Sequence, residues 1–401
     1  MLILNVIGIV CEFNPFHNGH LYMLEQSRKE LGQDAVVICA MSGDYVQRGE
    51  AALFSKYARA EAACRCGADI VAELPLPWCL SSAERYASGA VDILARLGCT
   101  HISFGSECGD IGILSKAADI LLDETINEKI VSMIRENESL SYARARQKVL
   151  REAMGEDAAI LSQANNILAI EYIKAIRKNH PDLTAFTVKR IGGGHDEHTE
   201  NGPKSASELR EMIFAGAETD RFIPEDALKI WKREEQTGRI TNRTVSEAAV
   251  LSRLRLFEPE YFDSLPDASD GTGRRLYNAV HRESGIEEII SAVSDKKTTR
   301  SRVRRMILCA AFQIRADCTN AAPPYTRLLA MTDSGKTYLN EHGKSISIPL
   351  VTKPALVKKL DETSVRVFRI GSDAHDMLTI QFLKESDRKP GEDWRKGPTI
   401  V

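Results

Sequence analysis

The sequence predicts an α/β fold: a parallel sheet with flanking helices in the first half, followed by a mostly helical C-terminal part. Three observations carry this. Short β-branched runs alternate with helical stretches over residues 1–110, the spacing of βαβ units. Those runs are apolar throughout rather than alternating, as in strands covered on both faces. Residues 224–315 keep helical spacing apart from a Pro/Asp/Gly-rich break at 259–273.

In chain order, residues 2–11 read as a buried first strand, and a helix follows from Gly19 to Leu31. Ala35–Ala40 is a second apolar strand, leading to a helix from Ser55 to Cys66. Asp69–Leu74 is a third strand, stopped by Pro75 and Pro77, residues that break secondary structure. Ser81–Leu97 is a helix and His101–Gly105 a fourth strand; residues 112–178 are helical and close on Ile160–Ile176. Thr184–Val188 is a fifth strand, Gly192–Lys204 a loop, and Ser205 opens another helix. Residues 325–385 mix short strands and helices, and the last fifteen or so are polar with Pro and Gly, a loose tail. This divides the chain into residues 1–220, an α/β domain; 221–320, a helical region; and 321–401, a small α/β region with the tail. Parallel sheets bind ligands at the carboxyl ends of their strands. The unusual loops Glu12–Gly19, Ser42–Ala51 and Ser106–Asp110 follow three of them.

Composition narrows the class. With 401 residues, 43% hydrophobic and 27% charged, the chain is neither disordered nor low-complexity. A net charge of −3 argues against a broadly basic nucleic-acid binder. The halves differ, however: residues 1–200 hold 20 Lys/Arg against 27 Asp/Glu, and residues 201–401 hold 33 against 29. Such asymmetry can mark a polyanion-binding part. The nine cysteines are odd in number and mostly sit in apolar runs, which suits reduced core thiols of a cytoplasmic protein. No run approaches the ~20 apolar residues of a membrane span, and the N-terminus lacks the basic flank of a secretion signal.

The chemistry concentrates in Glu12-Phe13-Asn14-Pro15-Phe16-His17-Asn18-Gly19-His20-Leu21. Here a strand turns into a helix, whose N-terminus offers unpaired N–H groups to a triphosphate. Gly19 admits a close backbone approach. His17 and His20, three apart, share one face of the first turn and can donate to phosphate oxygens as charge develops. A bare His-x-x-His pair would read as two surface histidines near a cap; the strand, turn, glycine and helix together favour nucleotide binding.

Asn14-Pro-Phe-His-Asn-Gly-His20 resembles the signature of the nucleotidyltransferase superfamily. Met41–Glu50, Gly67–Pro75, Phe104-Gly-Ser-Glu107, Asn165–Leu168, Lys189-Arg190 and Ser205-Ala-Ser207 narrow it. Together they closely resemble the bacterial tRNA(Met) cytidine acetate ligase family, from the first strand to about residue 385. The resemblance implies a Rossmann-like nucleotidyltransferase domain and a two-step reaction. ATP and acetate give acetyl-adenylate and pyrophosphate, and the acetyl group then passes to the exocyclic amine of the wobble cytidine of elongator tRNA(Met). Without the resemblance, the residues point only to ATP-dependent nucleotidyl transfer. A small-molecule adenylyltransferase and a non-catalytic tRNA-binding protein are the rival readings.

The resemblance implies that ATP is held by Val10, Cys11, Glu12, Phe13, Asn14, Pro15, Phe16, His17, Asn18, Gly19, His20, Leu21, Tyr22 and Met23, and by Gly105, Asn165 and Arg190. Ser205 and Ser207 resemble the superfamily's second phosphate-binding element, and equally suit plain helix capping. His17, His20 and Arg190 would stabilise charge as acetate attacks the α-phosphate. Magnesium (Mg2+) is compatible with the triphosphate, but no carboxylate cluster calls for it. Ser42, Asp44, Gln47, Arg48 and Lys56 are candidates for acetate, pyrophosphate or the wobble base, and Tyr45 for stacking on that base. Lys296, Lys297, Arg300, Arg302, Arg304 and Arg305 form a basic cluster at a helix start, read as the tRNA contact; the plainer alternative is a solvated basic face. Two positions depart from the family pattern: Ala51 stands in place of proline, and Gly194 precedes His195 in place of tyrosine.

Overall fold

The computed structural model describes residues 4–137, 140–191 and 203–401. Residues 192–202, where the sequence reading put a loop with Gly194 and His195, lie outside the described residues. Eight strands form one sheet: β1 (Val6–Cys11), β2 (Val36–Ser42), β5 (Ile70–Leu74), β6 (His101–Ser106), β7 (Thr184–Lys189), β8 (Thr326–Met331), β9 (Leu350–Val351) and β10 (Thr399–Ile400). β3 (Tyr45–Val46) and β4 (Glu50–Ala51) make a separate hairpin between β2 and the next helix.

The order is β10-β8-β5-β2-β1-β6-β7, with β9 beside β8. The five strands of the first half are mutually parallel, and the chain reverses its direction of travel between β1 and β6. A crevice at such a switch point is where open α/β sheets bind ligands. Strand residues divide alternately between two cores. Val36, Ile38 and Ala40 join Leu94, Ile102 and Ile173 on one face, while Val37, Cys39 and Met41 join Leu24, Ala63 and Trp231 on the other. Both faces are covered, which is why the strands show no polar alternation.

The five early strands and their helices lie within a few residues of their expected places. The first strand begins at Val6 and the second runs on to Ser42. The C-terminal part departs from expectation. Residues 321–401 do not build a sheet of their own: β8 pairs antiparallel with β5, and β9 and β10 flank it. β8 thus covers the backbone edge that β5 would otherwise expose. The tail is not loose either. Asp393 is 1% exposed, 2.6 Å from Lys56 and 3.3 Å from Arg327, and accepts from the Tyr57 hydroxyl at 2.8 Å. Polar composition suggested solvent; the acid instead meets buried cations. All nine cysteines are free. No helix among the described residues is long and apolar enough to cross a membrane.

Removing one partner of a buried ion pair costs about 3–5 kcal/mol. Asp393→Ala is therefore expected to lower the urea midpoint substantially, whereas an unpinned tail would leave it unchanged.

Candidate active site

β1 ends at Cys11, and its loop is set by packing and hydrogen bonds. Phe13 adopts φ 45 and is locked against Phe16 and His20, with ring centroids 4.8 and 5.0 Å away. Asn14 Oδ1 accepts from the Leu53 N–H at 2.8 Å, and the Asn14 carbonyl accepts from Arg210 at 2.7 Å. The helix Asn18–Leu31 then begins with a reciprocal cap made by the two histidines. His17 Nδ1 accepts from the Gly19 N–H at 3.0 Å, and His20 Nδ1 accepts from the His17 N–H at 3.3 Å.

That cap fixes the tautomers. With both Nδ1 atoms accepting, the ring proton sits on Nε2, so each neutral imidazole keeps an N–H donor. Burial, and then Arg190, lower the His17 pKa to about 4. Burial, His17 and Arg190 hold His20 well below its usual value. The rings lie 3.9 Å apart, and both are donors without charge at neutral pH. Gly19 is required here, because a Cβ would sit 2.8 Å from His17 Cε1.

Arg190 follows β7, and its backbone N–H donates to the Ser106 carbonyl at 2.9 Å. Its side chain lies over Gly105, where a Cβ would come within 3.3 Å of Arg190 Cγ. Glu107 caps the helix Ala164–Asn179: it accepts from Asn165 Nδ2 at 2.7 Å and from the Asn166 N–H at 2.8 Å. Asn166 Oδ1 accepts the Glu107 N–H at 3.0 Å in return. Ser205 forms a capping box with Glu208, and Ser207 accepts from Arg210 at 3.3 Å.

Two cavities, of about 400 and 500 Å³, meet at these residues. They share His17, His20, Met23, Gly105, Arg190 and Ser205. The smaller adds Asn18, Gly19, Tyr22, Val188 and Lys204. The larger adds Val10–Asn14, Gln47, Arg48, Asn165, Ser207 and Arg210. Pro15, Phe16 and Leu21 line neither; Phe16 is wholly buried beneath the loop. Among the described residues lining the larger cavity, Arg48, Arg190 and Arg210 face one carboxylate, Glu12, although Arg210 also pairs with Glu50 at 3.2 Å; the positive balance suits a polyphosphate. Among the described residues no group of three or more His, Cys, Asp or Glu is placed to hold a metal ion.

Of the five candidates for acetate, pyrophosphate or the wobble base, Gln47 and Arg48 line the larger cavity; Ser42, Asp44 and Lys56 do not. Lys56 bonds Glu73 and Asp393, and Asp44 bonds His375 at 2.8 Å. Tyr45 cannot stack a base as expected, because its ring is fully buried against Phe312 at 4.7 Å. In the basic cluster, Arg302 donates to the Asp267 carbonyl, Arg304 bridges Glu50 and Glu287, and Arg305 is buried beside Asp267. Arg300 pairs with Glu287 yet stays exposed, as do Lys296 and Lys297. Sequence reasoning gave no role to Arg210, or to Glu107, which ends the motif Phe104-Gly-Ser-Glu107. It missed Arg59, whose guanidinium binds the carbonyls of Glu12, Ser42 and Gly43.

A pH titration of the imidazole nitrogens should find His17 neutral from pH 7 down to about 4; a midpoint near 6.5 would contradict the cap.

Residues 4–392 match the family model described as HIGH Nucleotidyl Transferase. The chain is 36% identical to the tRNA(Met) cytidine acetate ligase of Syntrophotalea carbinolica, over 87% of this chain and 85% of that one. It is 34% identical to the protein of that name from Acetivibrio thermocellus, over 99% and 100%. The apo crystal structure of Thermotoga maritima TmcAL superposes with a TM-score of 0.93 at 29% identity, covering 99% of this chain and 100% of that one. A second form of that protein, bound with alpha-thio ATP, gives 0.92 at 29% identity, covering 99% of each.

Proposed function

We propose that this chain, which belongs to the tRNA(Met) cytidine acetate ligase family of HIGH nucleotidyl transferases, is an ATP-dependent ligase that acetylates the wobble cytidine of elongator tRNA(Met). The observation that carries the mechanism is the wall of His17, His20, Arg190 and Ser205 shared by two cavities at the switch point. A nucleotidyl transfer needs the α-phosphate at such a junction, with a nucleoside on one side and a nucleophile on the other.

Adenosine lies in the smaller cavity, toward the ends of β6 and β7, near Gly105 and Val188. Acetate, and afterwards the cytosine ring, lie toward the hairpin, near Glu12, Gln47, Arg48 and Arg210. An acetate oxygen attacks the α-phosphate in line, and pyrophosphate leaves. The two Nε2–H groups and the Arg190 fork stabilise the growing charge from fixed positions, so little reorganisation is needed. Ser207 and the N-terminus of the helix Ala206–Phe214 receive the departing phosphates. The cytidine amine then attacks the mixed anhydride and displaces AMP. Lys296, Lys297 and Arg300 are the part of the basic cluster exposed enough to contact RNA phosphates.

Incubation with ATP, labelled acetate and total tRNA should yield N4-acetylcytidine by nucleoside mass spectrometry. Losing one preorganised donor typically costs about 10²–10³-fold, so His17→Ala should slow acetate-dependent ATP–pyrophosphate exchange by that order. Exchange at the wild-type rate would rule out this role for His17. Reversing Lys296 and Lys297 to Glu should weaken tRNA binding and flatten its salt dependence, with exchange retained. An unchanged salt slope would remove those lysines from the interface.

A further inference from the structure

The second half-reaction needs something the first does not. Acetate attacks as a ready anion. The exocyclic amine of cytosine is weakly basic, and it must shed a proton as it forms an amide. The larger cavity holds few groups able to take that proton. His17 and His20 have their Nδ1 atoms committed to backbone N–H groups and present only donors. Burial raises the pKa of Cys11, Tyr86 and Tyr172, which keeps each protonated. Arg48, Arg190 and Arg210 are donors only.

Glu12 is the one carboxylate among the described residues lining that cavity, and it does not line the smaller one. It is held from two directions. Its carbonyl accepts from the buried Arg59 at 2.5 Å, and its Oε1 accepts from the Gln47 N–H at 2.9 Å. Among the described residues Oε2 receives no hydrogen bond. Burial raises the Glu12 pKa from the usual carboxylate value, opposed by the Gln47 N–H and by Arg210, Arg59 and Arg48. The shift is in the direction that suits a general base.

We infer that Glu12 is the proton acceptor of the acetyl-transfer step, with Oε2 taking the proton from the N4 amine of cytidine. The bond from N4 to the acetyl carbon forms, and the bond from that carbon to the adenylate oxygen breaks, its electron pair leaving on AMP. The N4 proton passes to Glu12 and from there to solvent. This assignment rests on the ligase reading above and adds to it the group that makes the amine a competent nucleophile.

The test separates the half-reactions. Glu12→Gln keeps the side-chain size and an acceptor for the Gln47 N–H. Activation is read by acetate-dependent ATP–pyrophosphate exchange, and transfer by single turnover of synthetic acetyl-adenylate with tRNA(Met). General-base removal costs about 10²–10⁴-fold, so transfer should fall by that factor beyond any change in exchange, and Glu12→Asp should recover part of it. Equal losses in both steps would mean that Glu12 serves the nucleotide or the fold, and transfer within threefold of wild type would mean that it is not the base; either overturns the inference. A wild-type protein that makes no acetylcytidine would instead refute the ligase reading itself.

Discussion

One buried ammonium organises the ground on which the site stands. Lys56 is 1% exposed and lies 2.8 Å from Glu73, 2.6 Å from Asp393 and 3.9 Å from Asp44. A buried cation is costly unless it is paired and hydrogen-bonded, and here its partners come from the loop after β2, the end of β5 and the C-terminal tail. His375 extends the cluster from the helix Glu362–Thr379, bonding Asp44 at 2.8 Å and Glu392 at 3.0 Å. Burial works to lower the His375 pKa, but Asp44, then Asp393 and Glu392, raise it to about 10, so it joins Lys56 and Arg327 as a cation among carboxylates. Asp44 also receives the Lys56 N–H at 2.7 Å, which sets where the Tyr45–Ala51 hairpin begins. That hairpin carries Gln47 and Arg48 into the larger cavity, and Gln47 holds Glu12. The network touches no substrate cavity itself, yet it determines where one wall of that cavity stands.

The part of the site around His17 and His20 works differently. Its histidines are neutral because burial and a neighbouring arginine disfavour a second charge. They are oriented because each spends Nδ1 on the helix cap. One set of hydrogen bonds therefore starts the helix, selects the tautomer and aims two donors. Arg190 supplies the formal charge, and Glu107, which favours the charged guanidinium, also caps the helix bearing Asn165. Structure and chemistry share residues throughout this region, which explains the dense punctuation of glycine and asparagine around it.

Much of this was legible where the physics is local. The apolar strands and the His-x-Gly-His turn could be placed because a strand end and a helix start leave marks within a few residues, whereas Gly105, Asn165 and Arg190 were singled out only through the family resemblance. Edge pairing leaves no such mark: nothing within Thr326–Met331 says that it joins Ile70–Leu74. Charge counts mislead in the same way. The cluster around Arg304 looks basic, but Glu50, Glu287 and Asp267 neutralise much of it from distant positions. Lys56 and Asp44 were singled out for substrate, whereas each has a buried partner more than three hundred residues away, Asp393 and His375 respectively. Tyr45 looked available until Phe312 was seen to cover it. Side chains whose roles depend on a partner distant in sequence are the ones a linear reading misplaces.

The antiparallel addition of β8 to β5, with Asp393 beyond it, bears on how the protein is made. During synthesis from the N-terminus, the first five parallel strands and the nucleotide loop leave the ribosome well before their edge cover does. Until Thr326–Met331 arrives, β5 presents an unpaired backbone to any passing strand. Until Asp393 arrives, Lys56 lacks its nearest counter-charge. A translation product cut short anywhere in between is thus no smaller working enzyme. It is a chain with a sticky sheet edge and an undercompensated cation beneath the Tyr45–Ala51 hairpin, marked for chaperones or proteolysis rather than for ATP.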